Sequence, residues 1–390
     1  MSVVNPHFLK KYEERVVYSK KVIKSFWNFE KLPYIPTLVW LPPYYSLRNG
    51  LLTTAYEYYT NDELALRVQI ESIKERLEVL EDDYIPYLDS YMGTCVLASA
   101  FGGGVRYFEN QDPWVARAVV DDYRDIDRIK KPRIKESEMI MKVINRIDFW
   151  KKEVGDTIPI SMPDPQGPLS IAIDLMGMQN LYLGFFDDPS RMHKLLEMIT
   201  ELIIDFQKVL YPRLESEDGV FEWTGIFFPK SKGRIRISED NLISISPELY
   251  TEFAQPYNEI ILRELGGGII HWCGNGQNNF ENVLSTSCLT GIHNSTMGDI
   301  SLIFDQIVRI QEKNRNEHKN LVYFSSMVTP SRKSWIAGLL KRQKGFRGVI
   351  NQVFFSTSKY GIMFIEGADG GYERFQDDQI DIIKEFFKQK

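Results

Sequence analysis

Three cysteines and five histidines are all that this 390-residue chain contains. The cysteines lie scattered at positions 95, 273 and 288, which excludes a disulfide framework and a multi-cysteine zinc ribbon. A long basic run is also missing. With a net charge of −6 the chain has the wrong balance for neutralising nucleic-acid phosphates, so no nucleic-acid partner is expected. No run of about 18 apolar residues occurs, so no membrane span is predicted. Residues Met1 to Lys10 lack the apolar core of a secretory signal. Low-complexity tracts and Pro/Gly/Ser-rich linkers are absent too. The expectation is one large folded unit in the reducing cytoplasm.

What the chain does have is aromatic mass, 13% of residues including 20 Tyr and 23 Phe, which suits a large core or a ring-lined pocket. Phe8, Tyr12, Val16, Val22, Ile23 and Phe26 recur at helical spacing, predicting an amphipathic helix over about His7 to Glu30. Short apolar runs then alternate with helical patterns. The candidate strands are Ile35–Leu41, Tyr84–Tyr91, Ile158–Met162, Gly219–Phe228, Gly268–Cys273, Thr290–Ser295, Asn320–Ser325 and Ile362–Ile365. Helical patterns cover Asp62–Glu81, Pro189–Leu210, Ser246–Leu265, Asp299–Asn314, Pro330–Leu340 and Phe375–Lys388, with Asp188, Ser246 and Asp299 placed as N-caps. Strands alternating with helices predict an α/β fold, a (β/α)₈ TIM barrel over residues 35–390 with an N-terminal helical extension over 1–34. A doubly wound sheet is the alternative. It calls for a glycine-rich loop after the first strand, and Leu41-Pro-Pro-Tyr-Tyr is not one.

Barrel chemistry sits at the C-terminal ends of the strands, and polar residues collect there. Asp89 ends the second candidate strand, and Asp164, Gln166 and Asp174 follow the third. Glu222 and Trp223 lie in the fourth, His293 ends the sixth, Ser325 and Ser326 the seventh, and Glu366 and Asp369 follow the eighth. The fifth, Gly268-Ile-Ile-His-Trp-Cys273, is the most informative. Residues two apart on a strand share a face, so His271 and Cys273 project together just before the turn at Gly274, half of a zinc site or of another polar centre. The plainer reading is a core cysteine beside a backbone-bonded histidine. The segment Lys230-Ser-Lys-Gly-Arg-Ile-Arg236 reads as a basic loop at the barrel mouth. Arg234 and Arg236 would grip an anionic substrate group, or the loop is simply solvated, with Asp240 a partner for one of its charges.

Several of these segments carry a family resemblance. Pro165-Gln-Gly-Pro-Leu-Ser-Ile-Ala172, Asp187-Asp-Pro189 with Leu195-Leu196, Ile245-Ser-Pro-Glu-Leu-Tyr250 with Phe253 and Pro256-Tyr257, and Ile270-His-Trp-Cys-Gly274 occur in an order and spacing similar to the uroporphyrinogen decarboxylase superfamily. The likeness runs from about residue 20 to residue 340. It implies a (β/α)₈ barrel and one of two reactions. One branch decarboxylates uroporphyrinogen without a cofactor. The other, the methylcobalamin:coenzyme M methyltransferases and their relatives, uses a His-x-Cys…Cys zinc site to activate a thiol. The decarboxylase branch's pyrrole-binding aspartate falls on Asp89, but its tyrosine falls on Asp174, its late histidine on Ser326, and its arginine-rich segment on Leu38–Arg48, which offers one arginine. The methyltransferase branch keeps His271 and Cys273, while its third ligand falls at or next to Ser326, leaving His293, Glu222 or Glu366 as substitutes.

The resemblance therefore points first to a methyltransferase moving a methyl group from a corrinoid protein to a thiol-type acceptor. His271 and Cys273 would hold zinc, and Asp89, Glu366 and Asp174 would be the catalytic carboxylates. Arg234, Arg236, Glu222, Trp223 and Ser326 would contact the small-molecule acceptor or anionic substrate. A metal-free lyase decarboxylating a tetrapyrrole or smaller acid is the alternative, and a non-catalytic corrinoid- or tetrapyrrole-binding module a third. A homodimer is compatible with any of them.

Overall fold

A computed structural model of the chain describes residues 6–41, 43–46, 48–296, 299–330, 346–356 and 384, with side-chain surroundings described for all but 6, 300, 326–330 and 352–356. The strands that build the site are β1 (Thr37–Val39), β2 (Gly219–Phe221), β3 (Phe227–Pro229), β4 (Ile235–Ser238), β5 (Gly268–Cys273), β6 (Leu289–Ser295), β7 (Val322–Pro330) and β8 (Val349–Ser356). The main helices around them are α1 (Glu13–Trp27), α2 (Asp62–Val79), α3 (Glu138–Val154), α4 (Pro168–Asp187), α5 (Pro189–Leu214), α6 (Pro247–Phe253), α7 (Gln255–Glu264) and α8 (Ile300–Glu317). Their starts follow local chemistry. Asp188, Ser246 and Asp299 accept the N–H groups of Arg191, Leu249 and Leu302. The single helix expected over Ser246–Leu265 is broken between Phe253 and Gln255, where Pro256 opens the second segment and cannot donate a backbone hydrogen bond.

Six strands form one parallel sheet in the order β1-β8-β7-β6-β5-β4. Two extended segments close the gap between its edges. Asp83 N–H donates to Thr37 O (3.1 Å), Leu88 bridges Ile160 in parallel, and Gly167 N–H reaches Ser238 O (2.8 Å). Six strands and two such staves make the eight positions of a (β/α)₈ barrel. The two staves pair too briefly to count as strands, and side chains make up part of the deficit. The buried carboxylates of Asp83 and Asp82 accept the backbone N–H groups of Thr37 (2.9 Å) and Val39 (3.0 Å), and Arg15 and Arg76 pair with Asp82. A carboxylate thus stands where a neighbouring strand's carbonyl would otherwise be.

Two expectations about the strands are corrected. Gly219–Phe228 is not one strand but the hairpin β2–β3, whose turn lies over Glu222 to Ile226. Glu222 Oε2 accepts from both the N–H and the hydroxyl of Thr224, and Gly225 sits at φ +87° with no room for a Cβ against the Tyr87 ring. The unbroken aromatic and β-branched content hid this turn. The hairpin's first arm, β2, does lie beside the extended segment that contains Ile160, Met162 bridging Glu222 in parallel, and the next strand of the main sheet is β4, inside the segment expected to be a basic loop. Its Ile-Arg-Ile-Ser alternation is strand periodicity, with Arg236 and Ser238 turned into the barrel and Ile235 and Ile237 packed outward. The eighth position is held by β8, between β7 and β1. The segments Ile362–Ile365 and Phe375–Lys388 and most of Pro330–Leu340 lie outside the described residues, apart from 384.

The N-terminal helix joins the core. Trp27 is 1% exposed, donates its indole N–H to Phe227 O at 2.7 Å, and packs with Phe26 against Phe228 and Phe324. Phe324 faces inward near the start of β7, so α1 and the hairpin together fill that end of the barrel. Trp27→Ala is expected to cost about 3–5 kcal/mol, and Trp27→Phe, which keeps a ring but strands the Phe227 carbonyl, about 1–2 kcal/mol. Urea unfolding of both variants checks this; an alanine loss below about 1 kcal/mol would show that α1 does not seal the barrel.

Candidate metal centre at the barrel mouth

β5 carries His271 and Cys273 on its inward face, and parallel register sets what stands beside them. Ser238 of β4 pairs with His271, and Ser295 of β6 with Cys273. Two residues beyond Ser238, where β4 has run out, comes Asp240. Its Oδ1 accepts the backbone N–H of Cys273 at 2.7 Å and lies 3.5 Å from His271 Nε2. Cys273 Sγ is also 3.5 Å from His271 Nε2. One donor atom from each of Asp240, His271 and Cys273 falls within 4.8 Å of the others.

The histidine is oriented by a backbone group. His271 Nδ1 lies 3.1 Å from His293 O, which can only accept, so Nδ1 carries the proton and Nε2 keeps its lone pair toward Cys273 and Asp240. Burial, then the nearby Arg236 and His293, hold the imidazole pKa well below the usual histidine range, so it stays neutral. Burial, and next the Asp240 carboxylate, push the Cys273 thiol up; burial also raises Asp240. Asp240 nevertheless keeps 44% of its side chain accessible, against 7% for His271. The trio is the floor of a cleft, flanked by protein and reachable from the mouth.

Beneath the trio lies Arg236, only 3% exposed. Its Nε donates to His293 Nδ1 (2.9 Å) and its Nη1 to Ser238 Oγ (2.7 Å). Asp164 and Glu222 carboxylate oxygens stand 3.7 and 3.6 Å from Nη1, and the Trp223 ring lies 5.2 Å away. Arg236 is thus partnered inside the barrel, contrary to its expected role on a basic loop. Arg234 is not at the site. It precedes β4, its N–H meets Gly267 O before β5 begins, and its side chain pairs with Glu215 at 2.9 Å. That is the N-terminal end of the strands, opposite the metal trio. His293 Nδ1 is taken by Arg236, so what His293 lends the trio is its carbonyl. Glu366 and Asp369 lie outside the described residues. Ser326 stands in register with Ser295, two strands from Cys273. The carboxylate that joins His271 and Cys273 is Asp240, which sequence reasoning assigned to an arginine. The signal was the inward period of two in Arg236-x-Ser238-x-Asp240.

A second group of acids surrounds Tyr91. Asp89 is 4% exposed and accepts from Tyr91 N–H (2.9 Å); burial lifts its pKa well above the carboxylate range, with Glu222 and Asp112 adding to the effect. Asp112 accepts from Tyr59 and Tyr91 hydroxyls at 2.6 and 3.1 Å. The Tyr91 ring stacks on Trp223 at 4.5 Å, and Trp40 meets Trp223 edge-on at 6.3 Å. Burial pushes Glu222 up to about 7, opposed by Arg236, and pushes Asp174 on α4 up to about 7 as well. Glu239, next to the trio, is fully buried and does a different job. Its oxygens accept the Leu169 and Ser170 N–H groups at 3.2 and 3.3 Å, tying the start of α4 to the end of β4. A Cβ on Gly167 would lie 2.3 Å from its Cδ.

Asp174 gives a pH signature. Its pKa rises from 3.8 to about 7 on folding, so the native state holds the proton more tightly and stability falls as pH climbs through that window, levelling above it. Asp174→Asn removes the penalty. Its expected stability gain is on the order of 2–4 kcal/mol at pH 8 and near zero at pH 4, read by urea unfolding at both. Equal gains at the two pH values would show that burial of this carboxylate is not the cause.

The family model described as uroporphyrinogen decarboxylase (URO-D) matches residues 19–212, about half of the chain, and stops before β2. The solved structure of a methyltransferase from Methanosarcina mazei is similar to this one with a TM-score of 0.62 at 12% identity, covering 94% of this chain and 96% of that one. At that identity the likeness is one of fold. No curated protein sequence matches the chain. The sequence match over residues 19–212, with the eightfold parallel barrel, places the chain in the uroporphyrinogen decarboxylase superfamily.

Proposed function

We propose that the protein is a methyltransferase, transferring a methyl group from a methylated corrinoid carried by a second protein to a thiol, with a Zn²⁺ centre held by His271, Cys273 and Asp240. The observation that carries this reading is the convergence of imidazole nitrogen, thiol sulfur and carboxylate oxygen within 4.8 Å at the C-terminal end of the strands. The donor set suits zinc, which accepts N, S and O ligands and in catalytic sites takes three from the protein. When bound, the metal would keep an acceptor thiol ionised at neutral pH.

The chain's own residues prepare the rest. The His293 carbonyl fixes the His271 tautomer, so that Nε2 faces the cleft. Arg236 opposes the burial penalties on Cys273 and Asp240, favouring their deprotonated, ligating forms. Asp89, held by Tyr91 N–H, supplies a raised-pKa carboxyl for orienting or accepting a proton from the acceptor. The Glu222 and Trp223 side chains occupy the barrel interior, so a corrinoid would be presented from outside by its carrier over the mouth. The Methanosarcina mazei structure, named a methyltransferase, supports the reading by analogy of fold. Free cysteines, Cys273 among them, suit a cytoplasmic setting.

A metal-free decarboxylase has less support. It needs free cations for the substrate's carboxylates, whereas Arg236 is already engaged with Asp164 and Glu222 and Arg234 lies at the other end of the barrel. Elemental analysis of protein purified without chelator should find about one zinc per chain, lost in Cys273→Ser and in Asp240→Ala, with methyl transfer from methylcobalamin to a small thiol lost in parallel. Wild type that takes up no metal when zinc is offered, or a Cys273→Ser variant with full activity, would overturn the proposal.

A further inference from the structure

The end of the barrel opposite the metal trio holds a cavity of about 600 Å³, open to solvent. Its walls are one face of α1 with the preceding Tyr12, the C-terminal turn of α2 with Leu80 and Glu81, the Pro33–Tyr34 segment that leads into β1, and Asp82–Asp83, which lead into the extended segment containing Leu88. A volume of this size lies in the range of small-molecule sites.

Much of the wall is committed to the protein itself. Arg15 donates from Nη1 to Leu77 O at 3.0 Å and from Nη2 to the Asp82 carbonyl and carboxylate, both at 3.2 Å. Asp82 also takes Arg76 and the Val39 N–H, and Asp83 takes the Tyr34 hydroxyl at 2.7 Å and the Thr37 N–H. Ser19 is different. It is 1% exposed and lines the cavity, and its hydroxyl makes no hydrogen bond with the described residues. A hydroxyl shut in without a partner is unfavourable, and a polar group entering the cavity would relieve it. Glu81 at the rim is exposed and makes no hydrogen bond or ion pair with the described residues. Between the two lie buried Leu77 and Leu80 and the rings of Tyr12 and Tyr18.

This layout selects a guest by charge and shape. An anion would compete with Asp82 for Arg15 and would face Glu78 and Glu81. An ammonium has three N–H donors for the Ser19 oxygen and the tyrosine oxygens beside it. Ring faces attract positive charge, and the Lys11 ammonium already stands 5.2 Å from the Tyr12 ring centre. A methylene chain suits the leucines, and a second ammonium at the rim would meet Glu81. We propose that this cavity is a binding site for an aliphatic diamine or polyamine, one ammonium on Ser19 and another on Glu81. The site lies at the other end of the strands from Asp240, His271 and Cys273 and depends on nothing in the metal reading.

Calorimetric titration of the full-length protein with 1,5-diaminopentane, 1-aminopentane, 1,5-pentanediol and glutarate tests it. The diamine should bind about tenfold more tightly than the diol, with the monoamine between them and glutarate weakest. Ser19→Ala should weaken both amines several-fold. Glu81→Gln should weaken the diamine and leave the monoamine unchanged. Unaltered urea transitions confirm that the variants are folded. Protein stripped with a chelator and desalted should bind the diamine as before; loss of binding on stripping would place the amine on a metal at the mouth and overturn the proposal. Equal binding of diamine and diol, tighter binding of glutarate, no diamine binding, or a Ser19→Ala variant that binds like wild type would overturn it as well.

Discussion

A single buried guanidinium holds the interior together. Arg236 is 3% exposed, and placing a full charge there is unfavourable unless every side of it is partnered. The partners come from separate parts of the chain. Ser238 comes from its own strand, Asp164 from the extended segment that begins near Ile160, Glu222 and Trp223 from the hairpin, and His293 from β6. The hairpin must therefore enter the barrel, and β6 must sit in the register that brings His293 to Nε. The same register places the His293 carbonyl against His271. The orientation of the candidate metal donors thus rests on a cation that ligates nothing itself.

Carboxylates act elsewhere as backbone substitutes. Asp82 and Asp83 take the N–H groups of β1, and Glu239 takes those at the start of α4. Each stands where the short second and third staves or a helix terminus leave donors without a main-chain acceptor. With little ladder to hold them, these staves carry buried carboxylates on irregular backbone, Asp89 on one and Asp164 on the other. Gln166, at φ +59°, returns both its N–H and its side-chain amide to Asp164. Helices and strands supply the frame, and acid-bonded loops supply the carboxylates set on it.

The superfamily match ends at residue 212, before the hairpin, β4 and the His-x-Cys strand. The second half of the chain holds the hairpin inside the barrel and, at the end of β4, the carboxylate beside the histidine and cysteine. A barrel of this kind hosts unrelated reactions, so the functional argument rests on those side chains and not on the fold.

The sequence alone determined the barrel class, the capped helices and the pairing of His271 with Cys273. Each follows from short-range physics, whether alternation along a strand, helical periodicity, or an Asp or Ser ahead of a helix turn. Tertiary structure decided the rest. Gly219–Phe228 reads as one continuous strand because its turn contains a single glycine, and only the Tyr87 ring against Gly225 and the Glu222–Thr224 bonds show it as a hairpin. Arg236 reads as a solvated charge because its carboxylate partners, Glu222 and Asp164, lie 14 and 72 residues away. Asp240 joins the candidate metal donors through the parallel register of β4 with β5, strands separated by a helical crossover. Such registers are set by the whole barrel closing, and no window of adjacent residues contains that information.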